Sequence, residues 1–135
     1  MTKTEEIVHY RIMKAKDELK NSRLNFENNL FNSSVSASYY AIFHAARALL
    51  GASGVITKKH SGVIHQFSEQ FIKTGVIDLE FGKILASAFK NRNDSDYLDF
   101  YFADASDAEM QLKDAESFLN NILQVLKVKY SYNFA

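Results

Sequence analysis

The sequence contains no cysteine, no proline and only five glycines, and each shortage narrows the class of protein. Without cysteine the chain has no disulfide, no thiolate metal ligand and no cysteine nucleophile. Without proline, and with every glycine between residues 51 and 82, long segments on either side carry no helix breaker. The 16 basic and 16 acidic residues balance, so no overall basic field attracts nucleic acid or membrane. A nucleic-acid or membrane partner would therefore have to bind a local basic patch.

The hydrophobic residues, 47% of the chain, are sufficient for one core in a protein of 135 residues. We therefore expect a single domain over residues 1–135, with a core over about residues 5–127 and a ragged C-terminal tail. The first residues carry charges where a signal peptide has an apolar run, and the apolar stretch YYAIFHAARALL contains His44 and Arg47. A cytoplasmic protein without membrane association is expected.

The distribution of apolar residues predicts helices along most of the chain, because they recur at three- and four-residue steps. Two adjacent apolar stripes make the second helix, after FNSS as its cap, the predicted centre. The fold class is therefore all-α, an antiparallel up-and-down bundle of four to five helices. The expected helices cover about residues 4–30 and 34–50, a third segment between a Thr57 cap and Gly75, a fourth from about Asp78, and a fifth opened by a capping box of Ser106 and Glu109.

Tyr40, His44 and Arg47 form a polar row on the second helix. Their spacing of i, i+4 and i+7 places them on one face. An arginine fork, a titratable imidazole and a tyrosine hydroxyl suit an anionic ligand such as phosphate. The alternative is that the three only rim a helix packed on one side, with His44 at the edge of the core.

Arg92 continues the inward-facing apolar row of the fourth helix, four residues after Ala88. A cation in that position needs partners. Either a ligand phosphate or one of the nearby carboxylates of Asp94, Asp96 and Asp99 meets this need, and the residues alone leave both interpretations open.

The segment that follows is polar and then aromatic. NRNDSD, residues 91–96, reads as a break at the end of the fourth helix, and YLDFYF, residues 97–102, as a turn or a helical continuation. These aromatic side chains form more apolar surface than one small bundle readily hides. We expect this segment and the end of the fourth helix to form a homodimer interface.

Several common kinds of site are missing from the sequence. His60 and His65 lie nearly opposite one another on a helix, and no HExxH or paired Glu-x-x-His motif occurs. The motifs of nucleophile elbows and phosphate-cradling glycine loops are also missing. We expect no metal and no cofactor.

Four segments in order resemble the HEPN domain family, in particular its small stand-alone UPF0332-like type. They are SVSASYYAIFHAARALL, KKHSGVIHQFSEQFIKTG, RNDSDY and AEMQLKDAESFLNNIL, and the likeness covers roughly residues 5–127. The resemblance implies a helical bundle that commonly dimerises around a cleft at the end of the fourth helix. Many members of that family are metal-independent ribonucleases, often toxins, encoded beside a minimal nucleotidyltransferase that neutralises them.

The family's catalytic signature is an arginine followed a few residues later by a histidine, and this chain departs from it. Arg92 and Asn93 match the front of the signature, but Tyr97 stands where the histidine is expected and no histidine follows His65. A phenol with a pKa of about 10 transfers protons poorly near neutral pH. Because the histidine is missing, we expect Arg92, Asn93 and the tyrosines to serve binding.

Two hypotheses follow from this departure. The first is a dimeric subunit that binds nucleotide or RNA phosphate and pairs with a nucleotidyltransferase, which in some relatives modifies a tyrosine near the motif; Tyr97 and Tyr101 are the candidates here. The second is an active endoribonuclease toxin in which Arg92 stabilises the transition state. Asp96, or His44 or His60 from another helix, would then move the protons.

Overall fold

The computed structural model describes residues 1–134, and all their regular structure is helical. The helices pack against one another, so the predicted all-α bundle is confirmed. The elements are α1 (Lys3–Glu27), α2 (Phe31–Ala52), α3 (His60–Phe67), which continues as a π-helical segment (Ser68–Ile72), α4 (Leu79–Tyr97) and α5 (Ala105–Tyr130).

Helix α2 lies at the centre, as its two apolar stripes predict, and contacts α1, α3, α4 and α5. Ile42 and Leu49 are completely buried, and burial of such a side chain stabilises a fold by about 1.5–3 kcal/mol. Helix α1 runs antiparallel to α2, since Ser22 meets Ser38 while Arg11 meets Arg47. The α1–α2 and α2–α4 pairs thus place α1 and α4 against the central helix α2.

The prediction that FNSS caps α2 is wrong, because the helix already begins at Phe31 and Leu30 is its N-cap. The serines serve the α1–α2 contact instead. The Ser22 hydroxyl lies 2.6 Å from the Ser38 hydroxyl, and the Ser34 hydroxyl donates to the Ser22 carbonyl oxygen at 3.0 Å. These hydrogen bonds satisfy the buried serine hydroxyls. Because the serine side chains are small, the backbones of α1 and α2 can approach closely.

Thr57 does not cap the third helix, which begins three residues later at His60. A Cβ at Gly62 would collide with the Thr57 hydroxyl, so Thr57 packs onto the first turn of α3 from the side. The segment after α3 turns at Gly75, whose φ of +79° is in the left-handed region that favours glycine.

The predicted break at NRNDSD is also wrong, since α4 runs through this segment to Tyr97. Two ion pairs at i, i+4 spacing stabilise the helix here: Lys90 with Asp94 at 2.7 Å, and Arg92 with Asp96 at 2.9 Å. The helix therefore carries the whole RNDSDY motif in a fixed register. Leu98 is its C-cap, and the non-helical segment 98–104 leads to α5.

Helix α5 differs from its prediction at both ends. Its capping box is formed by Asp104 and Asp107 rather than by Ser106 and Glu109, because Asp104 accepts from the Asp107 backbone N–H at 2.8 Å. The tail, predicted to be ragged, is helical to Tyr130, and Phe134 then packs on the ring of His9 with centroids 4.7 Å apart. Ala135 lies outside the described residues. Across residues 1–134, no helix combines the length and apolarity that a membrane crossing requires.

Candidate functional site

The candidate site is a cleft whose floor is a narrow open strip of α2. Between residues 34 and 51 every position of this helix is buried except Ser36, Tyr40, His44, Arg47 and Gly51. Their steps of three or four residues place them in one line, about 22 Å long at 1.5 Å per residue. The polar row predicted from Tyr40, His44 and Arg47 therefore lies along an open line of the otherwise buried helix.

Helices α1 and α4 form the two walls of this cleft. The α1 wall is built from one helical face with a spacing of three or four residues: Arg11, Lys14, Glu18, Asn21 and Asn25. The α4 wall contributes Arg92, Ser95 and Asp96. Because α1 is antiparallel to α2, the cations of α1 lie beside Arg47 and its asparagines lie beside the start of α2.

Arg92 occupies the middle of the cleft and connects its walls to its floor. Its Nη2 donates to the Tyr40 hydroxyl at 2.7 Å, and its Nη1 donates to Asn93 Oδ1 at 3.2 Å. Its Nε lies 2.9 Å from Asp96 Oδ2, but the N–H is not aimed at that oxygen, so the contact is an ion pair without an aligned hydrogen bond. With its side chain only 15% exposed, the guanidinium is fixed in one place.

The environment keeps the Arg92 guanidinium charged. Burial alone would lower the pKa of Arg92, but Tyr40, Asp96 and Tyr97 outweigh it and raise the pKa above its ordinary value. The guanidinium carbon also lies 5.4 Å from the ring centroid of Tyr40 and 5.5 Å from that of Tyr97. These aromatic faces favour a cation at this position.

His60 reaches the same region from α3. Its Nδ1 lies 2.5 Å from the Tyr39 hydroxyl, and its ring stacks on Phe43 with centroids 4.3 Å apart. Burial, then the charges of Arg92 and Arg47, lower the pKa of His60. Burial raises the pKa of Tyr39, so the phenol keeps its proton, and the tautomer of the neutral imidazole sets which of the two groups donates the hydrogen bond.

Tyr39 is a member of this site that sequence reasoning missed, because it counted the residue in an apolar stripe. A signal was available, since a tyrosine at a core position needs a partner for its hydroxyl. The position of His60, 21 residues further along the chain, could not be deduced from helical spacing alone.

The end of the cleft near Gly51 is cationic. Arg11 Nη1 donates to the Arg47 carbonyl oxygen at 3.0 Å, and burial and the Arg47 charge lower the pKa of Arg11. Burial, followed by the charges of Lys14, Arg47 and Arg11, lowers the pKa of His44 to about 4. Sequence reasoning identified His44 and Arg47 but missed the two cations of α1, which are brought there by helix packing.

The opposite end is lined by amides, hydroxyls and two carboxylates. It forms a cavity of about 480 Å³, within the usual range for small-molecule sites. Neutral donors and acceptors suit a sugar or a base edge, and the carboxylates disfavour phosphate. The lining residues include Glu18, Asn21, Asn25, Ser33, Ser36 and Asp96.

The other predicted residues are distributed differently. Tyr97 is 71% exposed beside Arg92, whereas Tyr101 is half-buried against Val35 and Ala103. Burial, then the charge of Asp107, raises the pKa of Tyr101. No group of three or more histidine, aspartate and glutamate side chains within residues 1–134 is arranged to hold a metal ion.

Comparison with known proteins finds a matching family and several similar chains. The family model described as HEPN domain matches residues 8–125. A "UPF0332 protein" of Thermotoga maritima is 32% identical over 127 residues, covering 94% of this chain and 96% of the relative. A "Putative toxin" of Methanocaldococcus jannaschii is 35% identical over 113 residues, 84% of each chain, and a second from that organism is 32% identical over 115 residues, 85% of this chain and 78% of the relative.

The protein is thus an all-helical bundle that holds a part-buried arginine, Arg92, in a polar cleft between its helices. The chain belongs to the HEPN domain family, and the resemblance inferred from the four sequence segments is thereby confirmed.

Proposed function

We propose that this HEPN protein is a nucleotide- or RNA-phosphate-binding subunit of a toxin–antitoxin type system. In this proposal the protein acts as a dimer, pairs with a minimal nucleotidyltransferase and does not cleave RNA efficiently. Its HEPN domain and its relatives named "Putative toxin" support the general class. The cleft supports the more specific activity.

The observation that carries the proposal is the fixed guanidinium of Arg92. It is held by Tyr40, Asn93 and Asp96 and remains charged, so little side-chain freedom is lost when a phosphate binds. The adjoining cavity supplies uncharged groups for the sugar and base of the same ligand. A phosphate at Arg92 with its nucleoside in the cavity satisfies both parts of the site.

The experiment for this proposal is a titration of a short single-stranded RNA into the protein and its Arg92→Ala variant. Loss of a charge-assisted contact worth about 1.5–3 kcal/mol predicts roughly ten- to a hundredfold weaker binding. Arg23→Ala is the matched control, because Arg23 is an exposed arginine of α1 that pairs with Glu116 away from the cleft. Equal affinity of the Arg92→Ala variant and the unmodified protein would overturn the proposal.

The cleft lacks a good proton-transferring group at the position where the family signature has its histidine. Asp96 is paired with Arg92, and Tyr97 is a phenol. This is the reason for proposing binding without efficient cleavage.

An active metal-independent endoribonuclease is the second candidate, and His60 is the observation that favours it. This neutral imidazole is oriented by Tyr39 and lies close enough to Arg92 for the guanidinium to lower its pKa. A neutral imidazole is suited to act as a general base. Brisk RNA cleavage that both Arg92→Ala and His60→Gln abolish would select this function.

Of the two tyrosines proposed for modification by the partner, Tyr97 is the better substrate. Its side chain is exposed beside the cleft, whereas Tyr101 is half-buried and its backbone oxygen accepts a hydrogen bond from Asn32. A nucleotide attached to Tyr97 would place its phosphate close to the Arg92 guanidinium, 5.5 Å from the unmodified ring. Modification there would block the cleft.

A further inference from the structure

Three cations lie together at the end of the cleft near Gly51, and no carboxylate of the described residues balances their charge. They are Arg11 and Lys14 of α1 and Arg47 of α2. Within residues 1–134, no carboxylate oxygen is within 4.0 Å of their nitrogen atoms. In a chain with equal numbers of acidic and basic residues, this local excess of positive charge is not a consequence of composition. Like charges so close repel one another, and a bound anion would relieve the repulsion.

The same end of the cleft contains polar atoms that lack hydrogen-bond partners. His44 Nδ1 and Arg47 Nε are both buried and bond to no other described group. Buried polar atoms in folded proteins are nearly always satisfied, by protein, water or ligand. The Arg47 guanidinium is also held in place, because it lies over the Phe43 ring with 5.7 Å between the guanidinium carbon and the ring centroid.

Gly51 makes room for the second guanidinium. A Cβ at this position would lie 3.0 Å from Arg11 Nη1, closer than ordinary van der Waals contact. The absence of a side chain at the end of the α2 strip thus allows Arg11 to reach across from α1 and bond to the Arg47 carbonyl oxygen. Two guanidinium groups are brought to one end of the floor by this arrangement.

We propose that Arg11, Lys14 and Arg47 form a second phosphate subsite, separate from Arg92, and that the cleft takes two phosphate groups of one single-stranded RNA. This inference rests on the proposed function, in which Arg92 holds the first phosphate. His44 lies between the two subsites on the floor, at i+4 from Tyr40.

The spacing favours an RNA strand over a nucleoside diphosphate. Arg92 is bonded to Tyr40, and the backbone positions of Tyr40 and Arg47 are seven residues apart on α2, which is about 10 Å along the helix axis. The two phosphorus atoms of a diphosphate share one bridging oxygen, so they lie much closer together than these two backbone positions. Phosphates on separate nucleotides of an extended strand can span that distance, with the intervening sugar near His44.

Three ligands and two substitutions test this subsite by calorimetric titration. The ligands are AMP, ADP and a short single-stranded RNA with several phosphates. Arg11→Gln and Lys14→Gln each remove one charge from the proposed subsite, and Arg23→Gln is the control, since Arg23 is an arginine of the same helix on a different face. Thermal unfolding of each variant confirms that it is folded, and the Lys14 substitution removes no hydrogen bond made by the folded chain.

We expect Arg11→Gln to weaken RNA binding about tenfold and to leave AMP and ADP binding unchanged, with Lys14→Gln acting in the same direction. Unchanged RNA binding in both variants would overturn the second subsite. An equal loss for AMP and RNA would also overturn it, because the cations would then act on the first phosphate. A loss for ADP as large as that for RNA would exclude the RNA-strand assignment. The proposed function is tested separately by Arg92→Ala, which should weaken the binding of AMP, ADP and RNA.

Discussion

The Arg92 guanidinium donates a hydrogen bond to the Tyr40 hydroxyl at 2.7 Å, joining α4 to α2 across 52 residues of sequence. Both residues belong to rows that the sequence shows on separate helices, and only the fold brings them together. The contact places the arginine of the family signature above the open strip of the central helix. It thereby makes one cleft from the two candidate sites.

Removal of this hydrogen bond should affect both stability and binding. Tyr40→Phe leaves Arg92 with Asn93 and Asp96 as its remaining partners, so we expect a loss of about 0.5–1.5 kcal/mol in the free energy of unfolding. RNA binding should weaken several-fold because the guanidinium is less well oriented. Chemical denaturation and RNA titration measure the two effects. Tyr10→Phe, at an exposed tyrosine of α1, should change neither, and an equally silent Tyr40→Phe would argue against the orienting role.

The lowered pKa of His44 makes the stability of the fold depend on pH. Because folding lowers this pKa from 6.5 to about 4, the unfolded chain binds more protons than the folded protein between those values. The contribution of His44 to the free energy of unfolding is fully present above pH 6.5 and is lost as the pH falls towards 4. His60, whose pKa is also lowered, acts in the same direction.

For His44 we expect the free energy of unfolding to fall by about 1–2 kcal/mol over this pH range. This is less than the full pKa shift would give, because the half-buried group is partly screened by solvent. His44→Gln should make the unfolding free energy less dependent on pH, as measured by denaturation at pH 7 and pH 4.5. The exposed His65→Gln serves as the control. A steeper pH dependence in His44→Gln would contradict the assigned direction.

The segment after α4 is expected to form a dimer interface in the proposed function. Leu98, Phe100 and Phe102 are all exposed, Phe100 to 93%, and Phe100 has a positive φ of 59°. Phe100→Asp should convert the dimer to a monomer in sedimentation at micromolar concentration, because a charge would enter an apolar contact. Ile56→Asp alters another highly exposed apolar residue, on the loop after α2, and should leave the dimer intact. An unmodified protein that sediments as a monomer would contradict the interface.

Modification by the proposed partner should select Tyr97 over Tyr101. After co-expression with a candidate minimal nucleotidyltransferase, intact mass measurement should show added nucleotide mass that Tyr97→Phe abolishes and Tyr101→Phe retains. The physical reason is the exposed position of Tyr97 and the half-buried position of Tyr101. Modification lost only in Tyr101→Phe would show that exposure does not determine the target.

The fold was predictable because apolar periodicity reports helices and their buried faces directly. The stripes of α2, including Ile42 and Leu49, identified the central helix, and this is confirmed. The caps were not predictable in the same way, since several neighbouring polar residues fit each cap. No side chain caps α2 at Leu30 or α3 at Lys59, whereas α5 begins at the side-chain capping box of Asp104.

The site was predictable only where it follows a single helix. Tyr40, His44 and Arg47 share one face of α2 and were identified from spacing, whereas Arg11 comes from an antiparallel neighbour and His60 from α3. Such contacts depend on the register between helices, which the sequence of one helix does not contain. The break expected at NRNDSD failed for a related reason, because i, i+4 ion pairs compensated for poor helix formers.

The central claim is that the cleft binds RNA phosphate without cleaving the strand efficiently. The most direct measurement incubates a labelled single-stranded RNA with the unmodified protein at neutral pH and records both the bound fraction and the strand length. The Tyr97→His variant, which restores the family's histidine, and Arg92→Ala are measured in parallel. The account predicts that the unmodified protein binds RNA that is recovered intact, that Arg92→Ala loses binding, and that Tyr97→His gains cleavage. Rapid cleavage by the unmodified protein, or the absence of any RNA binding, would contradict it.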